Sequence, residues 1–105
     1  MAQFDVYRNP NVVQREVFPF VVQMQNDFFD ALPTRWVLPL QRARIPFGAF
    51  PRRLTATIMV EGKSLFMATY LSAPLLNQAL HQAMTNVADQ GSLLQDAIDV
   101  LQSSV

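Results

Sequence analysis

The sequence has no cysteine, a single histidine (His81) and only three glycines in 105 residues. Without cysteine the chain cannot form a disulfide, a thiolate zinc site or a cysteine nucleophile. One histidine excludes a metal site built from several histidines, and three widely separated glycines exclude a glycine-rich phosphate loop. We therefore expect no metal site, no cofactor and no catalytic residues.

Charge and long hydrophobic runs are also scarce. Charged residues make up 15% of the chain and apolar residues 50%, and the eight basic side chains balance the eight acidic ones. This balance disfavours a strongly basic nucleic-acid binder. The longest nearly apolar stretch, residues 65–76, is shorter than the ~20 residues of a membrane span, and the first residues lack the pattern of a signal peptide. We expect one globular domain, residues 1–105, in the cytoplasm, with no membrane partner.

The charges are unevenly distributed along the chain. Residues 31–60 contain five arginines and no acid, whereas residues 64–105 contain three aspartates and no lysine or arginine. Such a pattern is typical of a solvated surface of mixed sign. The alternative is a basic face that docks an acidic partner.

Short β-strands are predicted over the first two thirds of the chain. Residues 4–7 alternate between apolar and polar, and residues 20–24 and 36–40 are rich in β-branched and aromatic side chains, with Pro39 near the end of the second stretch. Residues 55–60 and 64–71 flank Glu61-Gly62-Lys63, which predicts a β-hairpin with a glycine at positive φ. Residues 42–53 are expected to form a long loop. Strands at this spacing favour a small sheet or barrel.

The last third of the sequence has a helical period. Leu94, Ile98, Leu101 and Val105 recur at the spacing of one helix face, which predicts a helix from about residue 93 to the C-terminal region. Ser92, followed three residues later by Gln95, is typical of a capping box at its start. Residues 73–89 are ambiguous, because helical spacing competes with a possible strand at Pro74-Leu75-Leu76.

A few side chains could in principle carry chemistry. Asp27 and Asp30, and likewise Asp96 and Asp99, are spaced as paired carboxylates, but catalysis would need pKa values split by their surroundings. A capping or turn-forming role is favoured for Asp27 and Asp30, and a solvated helix face for Asp96 and Asp99. A structural or exposed role is favoured for His81. The arginine-rich loop 42–53, with Phe47 and Phe50, could grip RNA. Closing the core with its phenylalanines is favoured.

Two features suggest contact with a partner protein. Phe28-Phe29 is an adjacent apolar pair between Asp27 and Asp30. Adjacent side chains point in different directions in any regular element, so one phenylalanine is expected to pack and the other to anchor a partner. The apolar stripe of the predicted helix also continues to the chain end, where it is available for insertion into another protein.

A series of short motifs carries a family resemblance. Gln3, Phe4, Val6 and Tyr7 open the chain, residues 22–30 end a strand in an apolar pair and an aspartate, and Arg35 precedes Val37-Leu38-Pro39-Leu40. Residues 43–45, 72–74 and 96–99 continue the series. In this order the motifs resemble the CcdB family of plasmid and chromosomal toxins from residue 3 to residue 105.

The resemblance implies a mainly β fold with a C-terminal α-helix, an SH3-like barrel of the CcdB/MazF type. It implies a non-enzymatic toxin of a type II toxin–antitoxin pair that forms a homodimer, binds the DNA gyrase GyrA chain and traps the cleaved gyrase–DNA complex. A CcdA-type antitoxin is implied as the neutralising partner, with DNA contacted only indirectly. It also makes Pro74-Leu75-Leu76 a strand, and limits any helix before Ser92 to a turn or two. The gyrase-binding positions fall on Phe28, Phe29, Asp99, Gln102, Ser103, Ser104 and Val105.

The chain departs from the family at these positions. It ends in Gln102-Ser103-Ser104-Val105, where the best-known plasmid member ends in Phe-Trp-Gly-Ile. Phenylalanines replace isoleucines at the apolar pair, and Asp99 replaces an asparagine. The altered tail suggests one alternative, a CcdB-like protein with reduced or lost toxicity. The other alternative is a MazF-type endoribonuclease, which resembles CcdB in fold and would use Arg44 or Arg52 on a scissile phosphate.

Overall fold

The computed structural model describes residues 2–25, 33–42 and 57–103. In this part of the chain the strands are β1 (Asp5–Arg8), β2 (Phe20–Gln23), β3 (Thr34–Gln41), β4 (Thr57–Val60), β5 (Lys63–Met67), β6 (Ala73–Leu76) and β7 (Thr85–Asn86). The helix α1 (Gly91–Ser103) follows them, and short 3₁₀ helices lie at Val12–Gln14, Thr69–Leu71, Asn77–Ala79 and Ala88–Gln90. No helix in these ranges is both long enough and apolar enough to cross a membrane.

The strands form one antiparallel sheet in the order β4-β5-β3-β2-β1-β7, and β6 pairs with β3. The sheet is curled into a half-barrel, which confirms the predicted mainly β fold with a C-terminal helix. The strand at Pro74-Leu75-Leu76 is also confirmed, because β6 pairs Leu75 with Arg35 and Pro74 with Trp36. The helical reading of these three residues is wrong.

The central strand β3 is longer than the predicted stretch 36–40 and continues through Pro39. Proline is tolerated there because Pro39 lies opposite Val21 of β2, at a pair whose backbone groups point away from β2. On that far side the neighbour of β3 changes from β6 to β5. The missing N–H of Pro39 therefore falls at the junction of the two strands, and its carbonyl accepts a hydrogen bond from the N–H of Ala68 at 2.9 Å.

The predicted hairpin is confirmed with a tighter turn. Val60 pairs with Lys63, so only Glu61 and Gly62 lie between β4 and β5. Their φ angles are +50° and +80°, the values of a type I′ turn, whose twist matches that of the flanking strands. Gly62 accepts this conformation without the steric cost that a Cβ atom adds.

Both faces of the sheet are buried, but unequally. The larger cluster lies between the sheet and α1 and consists of Val6, Val22, Leu38, Leu40, Ile58, Val60, Leu65, Met67, Val87, Leu94 and Ala97. A smaller cluster on the other face contains Tyr7, Val21, Val37 and Leu80, with Leu75 packed against it. Leu94 is fully buried, and shortening such a side chain to alanine costs about 2–5 kcal/mol.

The predicted helix is confirmed, but its start is not at Ser92. The 3₁₀ helix Ala88–Gln90 leads directly into α1 at Gly91, so Ser92 lies within the helix and cannot cap it. Gly91 is buried because the ring of Phe4 packs against it, and a Cβ added there would lie 2.8 Å from Phe4 Cε2. Phe4 itself has φ of +71° and binds across the sheet through its N–H to the carbonyl of Gln23 at 2.7 Å.

Candidate functional site

A cleft of about 380 Å³ lies between the sheet and α1, lined by Met24, Trp36, Gln95 and Ile98. Met24 follows the last residue of β2, and its N–H donates to the carbonyl of Trp36 at 2.8 Å. This hydrogen bond fixes the chain end of β2 beside the start of β3. Ile98 packs against the main core from the helix side, so the cleft has an apolar floor.

Trp36 is the largest exposed apolar side chain in the described part of the chain, at 43% exposure. It lies on the same face of β3 as Leu38 and Leu40, which are fully buried under α1. Side chains two apart on a strand share a face, but Trp36 lies nearer the strand start, beyond the best covered part of the face. Exposed tryptophans next to apolar clefts are frequent anchors of protein–protein binding.

The outer face of α1 is polar and acidic. Gln95 Nε2 donates to Asp99 Oδ1 at 3.1 Å across one helical turn, and both residues are exposed. Asp96 is also exposed, and α1 contains no basic residue. The helix therefore presents one flank to the cleft through Gln95 and Ile98, and an acidic face to solvent.

The predicted site residues divide into two groups. Asp99, Gln102 and Ser103 lie on the last two turns of α1. Asp99 accepts a hydrogen bond from Gln95, which lines the cleft. Phe28, Phe29, Ser104 and Val105 lie outside the described residues. The chain reaches Phe28 four residues after Met24, which is itself in the cleft.

The geometry offers little for catalysis in the described ranges. Asp96 and Asp99 are both solvent-exposed on α1. His81 is exposed and lies in another cleft with Arg8 and Arg15. Within residues 2–25, 33–42 and 57–103, no group of three or more His, Asp or Glu side chains is placed to hold a metal ion.

A family model for the CcdB protein matches residues 3–103 of the 105-residue chain. The chain belongs to the CcdB family. At the family level, CcdB proteins are toxins that poison gyrase rather than catalyse a reaction. A search of curated proteins found no significant match.

The cleft residues of this CcdB-family chain were not expected from the sequence. Trp36 was predicted only as part of a strand, and Met24 only as the end of a predicted strand and part of the family motif. The parity of Trp36 with Leu38 and Leu40 is the signal that places it on the helix side of the sheet. The exposure of Trp36 depends on how far α1 extends over the sheet, and no local sequence pattern encodes that distance.

Arg44 and Arg52, the arginines of the alternative nuclease reading, lie outside the described residues, as do Asp27 and Asp30. The family match favours the CcdB reading over the MazF reading.

Proposed function

We propose that this protein is the toxin of a type II toxin–antitoxin pair, which binds the GyrA chain of DNA gyrase and traps the gyrase–DNA cleavage complex. The family match over residues 3–103 carries this proposal. The toxin acts as a wedge and not as an enzyme, in the cytoplasm where its target is found, and it touches DNA only through gyrase or the antitoxin complex. A CcdA-type antitoxin neutralises it.

The proposed gyrase-binding surface consists of Phe28, Phe29, Asp99, Gln102, Ser103, Ser104 and Val105. Two observations support a single surface. The chain leading to the phenylalanine pair passes Met24 in the cleft, and Gln95, which lines the same cleft, binds Asp99. We add Trp36 to this surface, because it is exposed in the same cleft.

The phenylalanines should contribute more to binding than the chain end. Energetic hot spots are enriched in buried aromatic anchors, and the last four residues contain none. Truncating such an anchor to alanine commonly costs about 2 kcal/mol, a ~30-fold loss of affinity. Ser103 and Ser104 offer only small polar contacts, so their removal should cost much less.

GyrA binding by calorimetry tests this ranking. The variants are Phe28→Ala, Phe29→Ala and a chain ending at Gln102, each checked for folding by circular dichroism. Ser92→Ala, at an exposed helix position that does not line the cleft, is the control. We expect at least one phenylalanine variant to lose about 30-fold, and the truncated chain to lose less. Normal binding by both phenylalanine variants, with binding abolished by truncation, would reverse the ranking.

We further propose that the toxin is a homodimer. Exposed apolar side chains support this, since Trp36, Met59, Leu76 and Leu93 are each more than two fifths exposed in the described part of the chain, and such surface is commonly buried between copies. Sedimentation at micromolar concentration should give twice the chain mass of 11.9 kDa. A species of only the chain mass would disprove the dimer.

A further inference from the structure

A second cleft, on the far edge of the sheet from the β4–β5 hairpin, is lined by Arg8, Arg15, His81, Gln82 and Met84 and holds about 300 Å³. These five residues form the basic cleft. We propose that the basic cleft is a binding site for a phosphate group. The proposal goes beyond the gyrase-binding function and uses none of its residues.

The basic cleft gathers nitrogen-donor side chains from three separate segments. Arg8 is the last residue of β1, Arg15 follows the 3₁₀ helix Val12–Gln14, and His81 lies between the 3₁₀ helix Asn77–Ala79 and β7. No acidic residue lines it in the described part of the chain. The convergence is therefore a property of the fold and not of neighbouring positions in the sequence.

Arg15 is held in place before any ligand arrives. Its Nε–H donates to the carbonyl of Asn9 at 2.6 Å. Asn9 is buried, and its side chain is fixed in turn, donating to the carbonyl of Phe18 at 2.9 Å and accepting from the N–H of Asn11 at 3.0 Å. A cation ordered in this way loses less conformational entropy when it binds an anion.

The segment carrying His81 is anchored at both ends. Leu80 is buried in the smaller core cluster with Tyr7 and Val21, and the N–H of Met84 donates to the carbonyl of Val6 at 2.8 Å. His81 is exposed between these anchors. A ring N–H is available from it in either charge state.

Two side chains of the basic cleft have no protein partner in the described part of the chain. Among the described residues, neither the guanidinium of Arg8 nor the ring of His81 has a hydrogen-bond or ion-pair partner. Asp5, the acid on the same strand as Arg8, is instead engaged by the N–H of Ala2 and the side chain of Asn86. The Arg8 guanidinium is therefore exposed and available to pair with an anion.

The number of hydrogen-bond donors in the basic cleft favours a phosphate ligand over a carboxylate ligand. One arginine fork satisfies both oxygens of a carboxylate in a single plane. Two guanidinium groups and an imidazole, from three segments, match the oxygens of a tetrahedral phosphate better. The phosphate could be free or part of a nucleic-acid backbone, and both share this chemistry.

Nuclear magnetic resonance titration of the full chain tests the site with three probes: inorganic phosphate, a short DNA duplex and poly-glutamate. We expect phosphate at millimolar concentration to shift the signals of Arg8, Arg15 and His81. Arg8→Gln should weaken this binding about tenfold, the usual effect of losing one charge-assisted hydrogen bond. The Arg8 side chain has no hydrogen-bond or ion-pair partner among the described residues, so this variant should fold normally.

Two controls separate a site from bulk charge. Lys63→Gln removes one positive charge near the opposite edge of the sheet. Arg42→Gln removes a guanidinium whose Nε also donates to a backbone carbonyl, that of Glu16 at 3.0 Å, but which does not line the basic cleft. Both controls should bind phosphate like the parent chain.

Each outcome decides the proposal. Phosphate binding weakened about tenfold in Arg8→Gln and unchanged in the two controls supports the site. Duplex binding with the same dependence identifies a nucleic-acid backbone as the source. No shift at tens of millimolar phosphate, equal losses in the control variants, or poly-glutamate binding without phosphate binding would each overturn it. Gyrase binding by Arg8→Gln, measured in parallel, should equal that of the parent, so the failure of this site is distinguishable from failure of the toxin function.

Discussion

The side-chain amide of Gln90 hydrogen-bonds both backbone groups of Met59 on strand β4. Met59 N–H donates to Gln90 Oε1 at 2.8 Å, and Gln90 Nε2 donates to the Met59 carbonyl at 2.8 Å. The hairpin register explains the match: Val60 pairs with Lys63 across a two-residue turn, so the backbone groups of the next residue, Met59, point away from β5. The amide thus occupies the place of a neighbouring strand.

Removing this amide should destabilise the fold modestly. Gln90→Ala loses two hydrogen bonds at a partly exposed site, so we expect a decrease of about 1 kcal/mol in the free energy of unfolding. Gln90→Glu keeps an acceptor for Met59 N–H but places a second oxygen against the Met59 carbonyl, and its deficit should shrink near pH ~4, where a protonated carboxyl donates. Urea unfolding measures both, with the exposed Gln78→Ala as control. Equal stability of all four chains would contradict this role.

Gly91→Ala should destabilise the protein, although helix propensity favours alanine over glycine. Alanine is better than glycine in a helix by about 1 kcal/mol, so Gly91→Ala would stabilise an unobstructed helix. Here the new Cβ would lie 2.8 Å from Phe4 Cε2, and overpacking typically costs about 1–3 kcal/mol. We therefore expect Gly91→Ala to lower the midpoint temperature of thermal unfolding.

Phe4, the residue that the new Cβ would contact, provides the control for this prediction. In a Phe4→Ala background the loss caused by Gly91→Ala should vanish, while Ser92→Ala should be neutral or stabilising in either background. Stabilisation by Gly91→Ala in the parent chain would show that the Phe4 ring moves aside freely.

Substitutions of Gly62 test the positive-φ turn between β4 and β5 without introducing a steric clash. No atom lies within 4 Å of a Cβ built at Gly62, whose φ is +80°. Gly62→Ala should therefore cost about 1 kcal/mol through backbone strain only, and Gly62→Asn should cost less, because asparagine tolerates this region. Unfolding of the two variants in denaturant gives the comparison. Equal costs would mean that the strain lies elsewhere in the turn.

Trp36→Ala should weaken gyrase binding without unfolding the protein. Its side chain is 43% exposed, so its loss removes little core packing, whereas loss of a binding anchor costs about 2 kcal/mol of affinity. Binding and sedimentation are measured together, with Leu93→Ala, also partly exposed, as the matched apolar control. A monomeric Trp36→Ala chain would assign Trp36 to the dimer contact, and unchanged binding by a dimeric variant would remove it from the gyrase surface.

Local patterns predicted much of the fold but not the cleft. The hairpin at Glu61-Gly62 and the stripe containing Leu94 follow from turn chemistry and helical period, which are properties of neighbouring residues. The predicted capping box at Ser92 was wrong because α1 begins earlier, at Gly91, directly after the 3₁₀ helix Ala88–Gln90. The side chain of Gln95 hydrogen-bonds to Asp99 instead. The exposure of Trp36 depends on how far a distant helix covers the sheet. The roles of Phe28 and Phe29 stay predictions.

We propose that this CcdB-family chain poisons gyrase. The most direct measurement induces the chain in bacteria carrying either wild-type or toxin-resistant GyrA, and follows cell survival, DNA breaks and RNA cleavage. We predict death with double-strand DNA breaks in the wild-type strain, survival of the resistant strain, and intact RNA in both. Death of both strains with RNA cleavage abolished by Arg44→Ala or Arg52→Ala, or survival of both strains, would contradict gyrase poisoning.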